Sequence, residues 1–396
     1  MGDSARRIPQ LDGIRGVAIS LVVIWHFVVV PITRDSHESV IARFIAHAGL
    51  LTWSGVDLFF VLSGFLIGGI LIDAKESRDY FRTFYVRRVF RILPVYMAVV
   101  ILYLLIWSVA AGQKAILQET LGNPMPWYVY LTFTQNFWLA HHLWDSVYLA
   151  VSWSLAVEEQ FYLLLPAIIR ILPRQSLLPV SVAVALMSAI TRCLLYLHYG
   201  ASWGTAAYTL IFSRADALML GVICAVLLRD RQWKERLIKN LWVIRAAFVT
   251  LGVGVALLTY KGWGMGTKPM CTFGFTYLAL FYTSTLMIAM ISPQGSLSHA
   301  FRARWLRWLG TIAYAVYLFH VTVLSVTFRL VLRGSPAMAN SLDAVTALSA
   351  CVATLGLAQL SWKYFESKLV RLGHQFTYGA GTSTSSSVPF SAAPAE

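Results

Sequence analysis

The sequence has few charged residues, few cysteines and none of the short motifs that mark common soluble enzymes. Charged residues make up 13% of its 396 residues, whereas a soluble domain carries roughly 25%. The four cysteines, at positions 193, 224, 271 and 351, lack metal-ligand spacing, so we expect them to pack as small apolar residues. A glycine-rich nucleotide loop, a zinc pattern and a serine-centred elbow are also missing. These absences argue against a soluble enzyme and predict no metal site.

Long apolar runs dominate what is present. Hydrophobic residues make up 58% of the chain and the mean hydropathy is +0.66, which indicates many membrane spans rather than a soluble domain with one anchor. The predicted fold is therefore an all-α, polytopic integral membrane protein with about ten transmembrane helices. They are predicted at residues 11–31, 49–72, 92–112, 151–172, 176–197, 211–228, 243–260, 272–292, 309–331 and 343–365.

The basic residues set the predicted orientation. A net charge of +14 suggests nucleic acid, but Lys and Arg lie in short loops between apolar runs, so no nucleic-acid partner is expected. One side of the predicted map holds 22 of the 32 Lys and Arg residues, and the other holds six. This asymmetry places both termini in the cytoplasm and predicts a multi-pass protein of the lipid bilayer.

Two segments do not fit the pattern of spans. Residues 127–143 are aromatic and apolar but interrupted by Thr, Gln and Asn, and a full crossing here would break the parity of the map. We interpret them as a re-entrant or interfacial segment on the outer side, where Trp and Tyr are favoured. Residues 373–396 are predicted to be a disordered cytoplasmic tail, because the sequence from Thr377 on is rich in Gly, Ser, Thr, Ala and Pro.

The first predicted span carries two ionisable residues, Arg15 and His26. Eleven residues of helix advance about 16 Å through about three turns, so the two side chains lie on one face at different depths. An ionisable group in lipid is costly and is a functional candidate by default. The pair therefore predicts a polar path that leads inward from one side of the membrane.

Other predicted spans also carry ionisable or polar side chains. The adjacent glutamates of the fourth span point about 100° apart, and the Arg and Asp of the sixth point to nearly opposite sides. Each of these charges needs a partner on another helix, which favours a buried polar site. The candidates are Asp57 in the second span, Glu158 and Glu159 in the fourth, Arg214 and Asp216 in the sixth, and Tyr317 and His320 in the ninth.

Three arginines, Arg87, Arg88 and Arg91, cluster on one side of the helix that enters the membrane at the third span. Guanidinium groups suit phosphates through paired hydrogen bonds as well as charge. Anchoring by the positive-inside rule and by lipid headgroups fits equally well. The spacing alone leaves both interpretations open.

Six segments in this order resemble the membrane acyltransferase 3 family, which includes bacterial O-antigen and exopolysaccharide acetylases and macrolide acyltransferases. The resemblance covers residues 8 to about 366. The segments are Arg15-x10-His26, Gly-Val-Asp-Leu-Phe-Phe-Val-Leu-Ser-Gly-Phe at 55–65, Arg-Arg-Val-Phe-Arg-Ile-Leu-Pro at 87–94, Trp-Ser-Leu-Ala-Val-Glu-Glu-Gln-Phe-Tyr at 153–162, Arg-Ala-Asp-Ala-Leu-Met-Leu-Gly at 214–221 and Ala-Tyr-Ala-Val-Tyr-Leu-Phe-His at 313–320.

The resemblance implies a membrane acyltransferase domain at residues 1–372, in the bacterial cytoplasmic (inner) membrane, with His26 central. Such a protein moves an acyl group, most often acetyl, from cytoplasmic acyl-CoA to a hydroxyl of a cell-surface or exported glycan. Acyl-CoA, with acetyl-CoA as the first choice, is then a co-substrate, and no permanently bound cofactor is expected. Some members add a soluble extracytoplasmic domain, which this chain is expected to lack.

A mechanism that fits both lines of reasoning starts at the arginine cluster. Arg87, Arg88 and Arg91 would hold the phosphates of acyl-CoA, and the pantetheine arm would run along the stripe of Arg15 towards His26. His26 would act as a general base on the acceptor hydroxyl, which needs an imidazole that is neutral near pH 7. An acyl-histidine intermediate is equally compatible.

Neighbouring charges would complete this site. Glu159 or Asp57 would fix the tautomer of the histidine, as the aspartate does in a catalytic triad. Arg15 or Arg214 would stabilise the developing oxyanion.

One further motif is rejected. His141-His142-Leu143-Trp144-Asp145 resembles the His-His-x-x-x-Asp motif of soluble acyltransferases, but its spacing is one residue short and it lies among aromatic residues typical of a membrane surface.

Two alternatives stay open. The acceptor can instead be a macrolide or another small secondary metabolite. In a different class, buried Asp, Glu and His suit a proton-coupled transporter of an organic acid or glycan, although the broken helices and inverted repeats that favour transporters are not visible. Release of CoA by the purified protein discriminates between enzyme and transporter.

Overall fold

The computed structural model describes residues 8–34, 39–110, 112–142 and 148–379. Helices form nearly all of this part of the chain and no strand occurs in it, which confirms the all-α fold class. Ten long helices are numbered here in chain order. They are α1 (Pro9–Ile24), α2 (Gly55–Asp73), α3 (Tyr80–Val109), α4 (Trp153–Ile171), α5 (Arg174–Tyr199), α6 (Ile211–Arg229), α7 (Leu241–Tyr260), α8 (Phe275–Ile291), α9 (Arg304–Leu332) and α10 (Ser341–Ser361).

Each of the ten predicted spans has its counterpart among these helices. By length and composition, nine helices of the described residues could cross a membrane. The helix α4 is the exception, because Glu158, Glu159 and Arg170 reduce its apolar character. A polytopic membrane protein is therefore confirmed. Shorter α-helices lie at Val30–Arg34, Val40–Ala48, Lys114–Leu121, Trp127–Leu131, Gln135–His142, Gly204–Thr209, Arg231–Lys239, Ser296–Phe301 and Ser367–His374.

The crossing of α2 and α6 depends on two glycines. A Cβ placed on Gly64 would lie 1.9 Å from the carbonyl oxygen of Leu218, and one placed on Gly221 would lie 2.1 Å from that of Val61. Side chains at either position would push the helices apart, so the small residues allow the backbones to touch. This contact brings the polar residues of α2 and α6 together.

The helices α1 and α9 also pack backbone to backbone. A Cβ on Gly310 would lie 1.8 Å from the carbonyl oxygen of Asp12, and one on Gly16 would lie 2.1 Å from that of Leu306. This close crossing near the start of both helices fixes their register. It thereby decides which residues of α1 and α9 face each other deeper in the membrane.

The first span is not a regular α-helix throughout. A π-helical segment, Trp25–Val29, separates α1 from the helix Val30–Arg34. Single π-turns inside helices are rare and frequent at functional sites, since they turn side chains away from the regular face. His26 lies in this segment.

The loop between α2 and α3 holds the end of α4. The amino group of Lys75 donates to the carbonyl oxygen of Ile169 at 2.7 Å and also to that of Leu172. A cation at a helix C-terminus is favourable because the last carbonyls carry partial negative charge. Burial lowers the pKa of the Lys75 amine. This contact fixes the basic side of α4, where "basic side" denotes the side of the loops 73–91, 229–245 and 293–308.

Residues 127–142 form no long helix. They form the short helices Trp127–Leu131 and Gln135–His142, joined through Phe133, whose φ is 51°. Neither helix has the roughly 20 residues that a crossing requires. The side chains of Gln135 and Asn136 are fully buried, so this segment packs inward against the bundle. Leu143, Trp144 and Asp145 of the rejected histidine motif lie outside the described residues.

The C-terminal segment packs against the start of α3. Nε of Arg87 donates to the carbonyl oxygen of Phe376 at 2.8 Å, and the Arg87 guanidinium lies 5.2 Å from the ring centroid of Tyr378. Residues 373–379, which belong to the predicted tail, lie within the described residues, and Phe376 and Thr377 accept hydrogen bonds from Arg87 and Thr83 of α3. Residues 380–396 lie outside the described residues.

Candidate active site

Two histidines meet between the first span and α9. Nε2 of His320 lies 3.2 Å from Nδ1 of His26, and the ring centroids are 4.8 Å apart in an edge-to-face arrangement. His320 is fully buried and His26 is partly exposed. The structure thus joins two candidate residues that are 294 positions apart in the sequence.

Backbone carbonyls fix the hydrogens on both rings. Nδ1 of His320 contacts the carbonyl oxygen of Tyr317 at 2.7 Å, and Nδ1 of His26 contacts that of Val22 at 3.0 Å. Because a carbonyl oxygen only accepts, each Nδ1 carries a hydrogen, and Nε2 is the basic atom of each neutral ring. The one Nδ1 hydrogen of His26 is therefore shared between the carbonyl oxygen of Val22 and Nε2 of His320. The basic nitrogen of His26 is then Nε2.

Tyr317 links this pair to the beginning of α4. Its hydroxyl donates to the carbonyl oxygen of Val151 at 2.6 Å, and the Ser154 hydroxyl donates to the same phenolic oxygen at 2.6 Å. The single hydrogen of the Tyr317 hydroxyl is therefore already donated, and this hydroxyl links α9 to the start of α4. The same link fixes the position of Tyr317, whose carbonyl oxygen binds His320.

Arg15 lies on the same span as His26 but closer to the basic side. Its Nη1 donates to Oδ1 of Asp12 at 2.9 Å, and its side chain remains 25% exposed. The eleven-residue separation from His26 is about 16 Å along the helix. A guanidinium at that distance, turned towards Asp12, does not reach an oxyanion beside His26, so the predicted oxyanion role does not fit. The position of Arg15 between the basic side and His26 agrees with the predicted polar path.

The two glutamates of α4 face the arginines of α3. The Tyr162 hydroxyl donates to Oε2 of Glu158 at 3.0 Å and also bonds to Ser63. Arg88 of α3 lies close to both glutamates. Within the described part of the chain, Oε1 of Glu159 is buried and has no hydrogen-bond partner. In the structure, the side chain at Nδ1 of His26 is His320, not Glu159.

Asp57 also pairs with a residue other than His26. Its carboxylate forms an ion pair with Arg214, and both side chains are fully buried. The Arg214 guanidinium lies 4.3 Å from the ring centroid of Phe275 and 5.5 Å from that of Tyr208, so aromatic rings surround the cation. This pair bridges α2 and α6. It does not fit the roles expected for Asp57 as orienting carboxylate and for Arg214 as oxyanion donor.

Asp216, the second charged residue of α6, pairs with Arg192 of α5, as expected for a charge that needs a partner on another helix. Oδ2 of Asp216 lies 2.9 Å from Nη1 of Arg192, and Thr276 donates to the same oxygen at 2.6 Å. Arg192 also donates to the carbonyl oxygen of Ser213 at 2.6 Å. Asp216 therefore joins α5, α6 and α8 through a closed network. Such a fully paired network favours a structural role.

The arginine cluster of α3 is only partly engaged by protein groups. Arg87 binds the C-terminal segment, as described above. The Arg88 guanidinium lies 5.8 Å from the ring centroid of Phe84. Its Nε is buried without a hydrogen-bond partner among the described residues. Arg91 is partly buried and near Arg88 and Glu366.

Two participants in these networks escaped the sequence reasoning. Arg192 is a charged residue in an apolar run, the same signal that marked Arg214. Tyr162 has no such signal, because a tyrosine in a membrane helix is common. In the described ranges, no group of three or more His, Cys, Asp or Glu side chains could hold a metal ion.

The chain matches known proteins over almost its entire length. A family model described as an acyltransferase domain matches residues 8–363. The peptidoglycan O-acetyltransferase OatA of Listeria monocytogenes is 27% identical over 93% of this chain and 57% of its own length. The putative peptidoglycan O-acetyltransferase YrhL of Bacillus subtilis is 29% identical over 91% of this chain and 54% of its own length.

The O-acetyltransferase OatA of Staphylococcus aureus is 25% identical over 93% of this chain and 58% of its own length. The chain thus spans little more than half the length of these relatives. No solved structure matches it. The family match confirms the resemblance noted from the six segments and agrees with a multi-pass bacterial membrane protein. By this match, the chain belongs to the acyltransferase domain family.

Proposed function

We propose that this protein is a membrane-embedded O-acyltransferase that moves an acyl group, acetyl by first choice, from cytoplasmic acyl-CoA to a hydroxyl of an exported glycan. Family membership and the names of the relatives support acyl transfer to a glycan. Peptidoglycan, which the names of two relatives specify, is the first acceptor to test. The observation that carries the proposal is the His26–His320 pair inside the bundle.

In the proposed reaction, His26 is the general base. Its Nε2 removes the proton of the acceptor hydroxyl while the hydroxyl oxygen attacks the thioester carbonyl carbon. A carbon–oxygen bond forms, the carbon–sulfur bond breaks, and His26 passes the hydroxyl proton on to the leaving CoA thiolate. The products are the ester and free CoA, and no other reactant is consumed.

His320 is a positioning residue in this scheme. It donates to the backbone of its own helix and shares the Nδ1 hydrogen of His26 with the carbonyl of Val22, so this hydrogen keeps its partners when Nε2 of His26 is protonated. This replaces the carboxylate of a catalytic triad with a neutral ring. A neutral partner avoids the cost of a further charge in lipid.

The donor is proposed to enter from the basic side. The orientation expected from Lys and Arg places this side in the cytoplasm, where acyl-CoA is found. Arg15 lies between this side and His26, and the partly unpaired Arg88 lies near Glu158 and Glu159. These groups support a polar route for the donor from the arginines of α3 and the start of α1 to the histidine pair.

The experiment uses the full chain, purified into lipid nanodiscs, with acetyl-CoA and a soluble peptidoglycan fragment. We expect release of the CoA thiol and a gain of one acetyl mass on the fragment. Release of the thiol without acetylation of the fragment would mean that the acceptor is a molecule other than peptidoglycan. Mass spectrometry of glycans and secreted metabolites from deletion and complemented strains would then identify this acceptor. Absence of any thiol release, together with acid-driven solute flux in proteoliposomes, would overturn the proposal in favour of a transporter.

A further inference from the structure

A polar cavity opens at the basic side, where α9 begins beside the first turn of α1. Its volume is about 280 Å³, and Asp12, Arg304, Arg307, Trp308 and Thr311 line it. The loop before α9 belongs to the basic side, so the cavity opens towards the predicted cytoplasm. The arginines of this cavity are distinct from the cluster of α3.

The charge in the cavity is positive at a position where helices favour the opposite sign. Arg304 and Arg307 are three residues apart, so they lie on the same face of α9, and both lie within its first turn. The first turn carries the positive end of the helix dipole, where acidic residues are stabilising and basic ones are not. Asp12 is the carboxylate of the lining, and Nη1 of Arg15 already donates to it. An anionic ligand would compensate the remaining charge.

Trp308 supplies an aromatic surface next to these guanidiniums. Its Nε1 donates to the side-chain oxygen of Gln359 at 2.9 Å, which ties the indole to α10. The residue nevertheless remains 41% exposed. A fixed aromatic ring beside two arginines is suited to a ligand that combines a flat heterocycle with phosphates.

The cavity and His26 both lie along the first span. Asp12 lines the cavity and pairs with Arg15, which lies between Asp12 and His26 on that span. From Asp12 to His26 the helix advances about 21 Å. A ligand bound by its phosphates here would therefore need a long flexible arm to place a reacting group at His26.

We propose that this cavity binds the adenosine and phosphate end of the acyl-CoA donor. Arg304 and Arg307 hold the phosphates, Trp308 contacts the adenine, and the pantetheine arm extends past Arg15 to the histidine pair. This assignment rests on the proposed function. It differs from the sequence-based expectation that Arg87, Arg88 and Arg91 hold the phosphates; Arg87 is already bonded to the carbonyl of Phe376.

The first measurement is binding of adenosine 3′,5′-bisphosphate to the full chain in nanodiscs of phosphatidylcholine. We expect binding by the wild type, and a loss of at least ten-fold in affinity for R304Q/R307Q and for W308L. The matched control is R231Q, because Arg231 is a basic-side arginine whose side chain is 91% exposed. Equal affinity in all four proteins, or no binding by the wild type, would overturn the assignment.

The second measurement compares two donors, acetyl-CoA and acetylpantetheine, which lacks the nucleotide. We expect the cavity variants to raise KM for acetyl-CoA at least ten-fold and to leave kcat/KM for acetylpantetheine unchanged. An equal loss with both donors would overturn the assignment and indicate a structural defect. Because bisphosphate binding is measured without turnover, binding with no thiol release from any donor would retain the site and reject the proposed reaction.

Lipid headgroups are the competing source of phosphate, and the nanodisc lipid separates the two. Anionic phosphatidylglycerol competes with the bisphosphate if its headgroups enter the cavity, and its surface charge also repels the bisphosphate from every variant alike. We therefore compare variants within each lipid, and expect R304Q/R307Q to bind the bisphosphate at least ten-fold more weakly than the wild type in both kinds of nanodisc. Loss of bisphosphate binding in the anionic nanodiscs, with retained binding in R304Q/R307Q, would assign the arginines to lipid and overturn the proposal.

Discussion

The Nδ1 atom of His26 faces Nε2 of His320 across 3.2 Å, so a ring on the ninth long helix orients a ring on the first span. His320 can accept because its own Nδ1 hydrogen is bound by the carbonyl of Tyr317 at 2.7 Å. The direction of this chain of hydrogen bonds makes Nε2 the basic atom of His26. Substitutions of His26 and of His320 test the roles that this arrangement gives to the two rings.

Replacing His26 with alanine removes the proposed base. We expect the rate of CoA release in the presence of acceptor to fall about 10²–10⁴-fold, the usual contribution of general-base catalysis. Insertion into the membrane and adenosine 3′,5′-bisphosphate binding should persist, because the cavity at the start of α9 is about 21 Å away. His142→Ala is the control, since His142 is exposed. Wild-type turnover by His26→Ala would exclude this residue as the base.

Two substitutions of His320 separate orientation from packing. Leucine fills space but accepts no hydrogen bond, whereas glutamine retains an amide oxygen. A lost hydrogen bond to a charged group costs about 1.5–3 kcal/mol, so His320→Leu should lower kcat roughly 10–100-fold and leave KM for acetyl-CoA unchanged. His320→Gln should recover part of kcat. If both variants lose the same activity and unfold at the same lower temperature, His320 is only a packing residue.

The sequence could predict the spans and the identities of the polar residues because both are local properties. An apolar run long enough to cross a membrane is a helix whatever its neighbours are. Likewise, Arg15 and His26 share a face because eleven residues make three turns. A charged residue inside such a run is also visible directly, as with Asp57 and Arg214.

The partners of these residues could not be predicted from the sequence. Which side chain of α9 faces His26 depends on the backbone contact at Gly310, and on the π-helical segment that contains His26. Nothing in the local pattern specifies either. Analogy with catalytic triads therefore suggested a carboxylate beside His26, whereas the register of α1 and α9 brings His320 there. For the same reason, the sequence could not predict that Asp57 pairs with Arg214 rather than with His26.

The Asp57–Arg214 ion pair should dominate the stability of the contact between α2 and α6. Removing one member leaves the other charge buried and uncompensated, which typically costs about 3–5 kcal/mol. We expect Arg214→Leu to lower the unfolding temperature in detergent strongly. The double variant Asp57→Leu/Arg214→Leu should be more stable than Arg214→Leu, because no isolated charge remains.

Three thermal unfolding curves, of the wild type and these two variants, test this expectation. A double variant that is less stable than Arg214→Leu would contradict it and indicate that an isolated buried charge is not the main cost. A catalytic role for Arg214 would instead appear as loss of kcat in variants that unfold at the wild-type temperature.

A pair of glycine substitutions tests whether close backbone contact holds the bundle together. Alanine at Gly64 would place its Cβ 1.9 Å from the carbonyl oxygen of Leu218, a contact that only a shift of α2 against α6 can relieve. Alanine at Gly356, inside α10, meets nothing within 4 Å of its Cβ. We expect Gly64→Ala to destabilise by about 1–3 kcal/mol, as other overpacked sites do. Gly356→Ala should be neutral or stabilising by up to about 1 kcal/mol, because alanine is the better helix former.

Both effects are measured as shifts in unfolding temperature in the same detergent. Equal shifts for the two variants would mean that the α2–α6 crossing tolerates a methyl group, and that the buried Asp57–Arg214 pair, rather than the glycine contact, sets the distance between these helices.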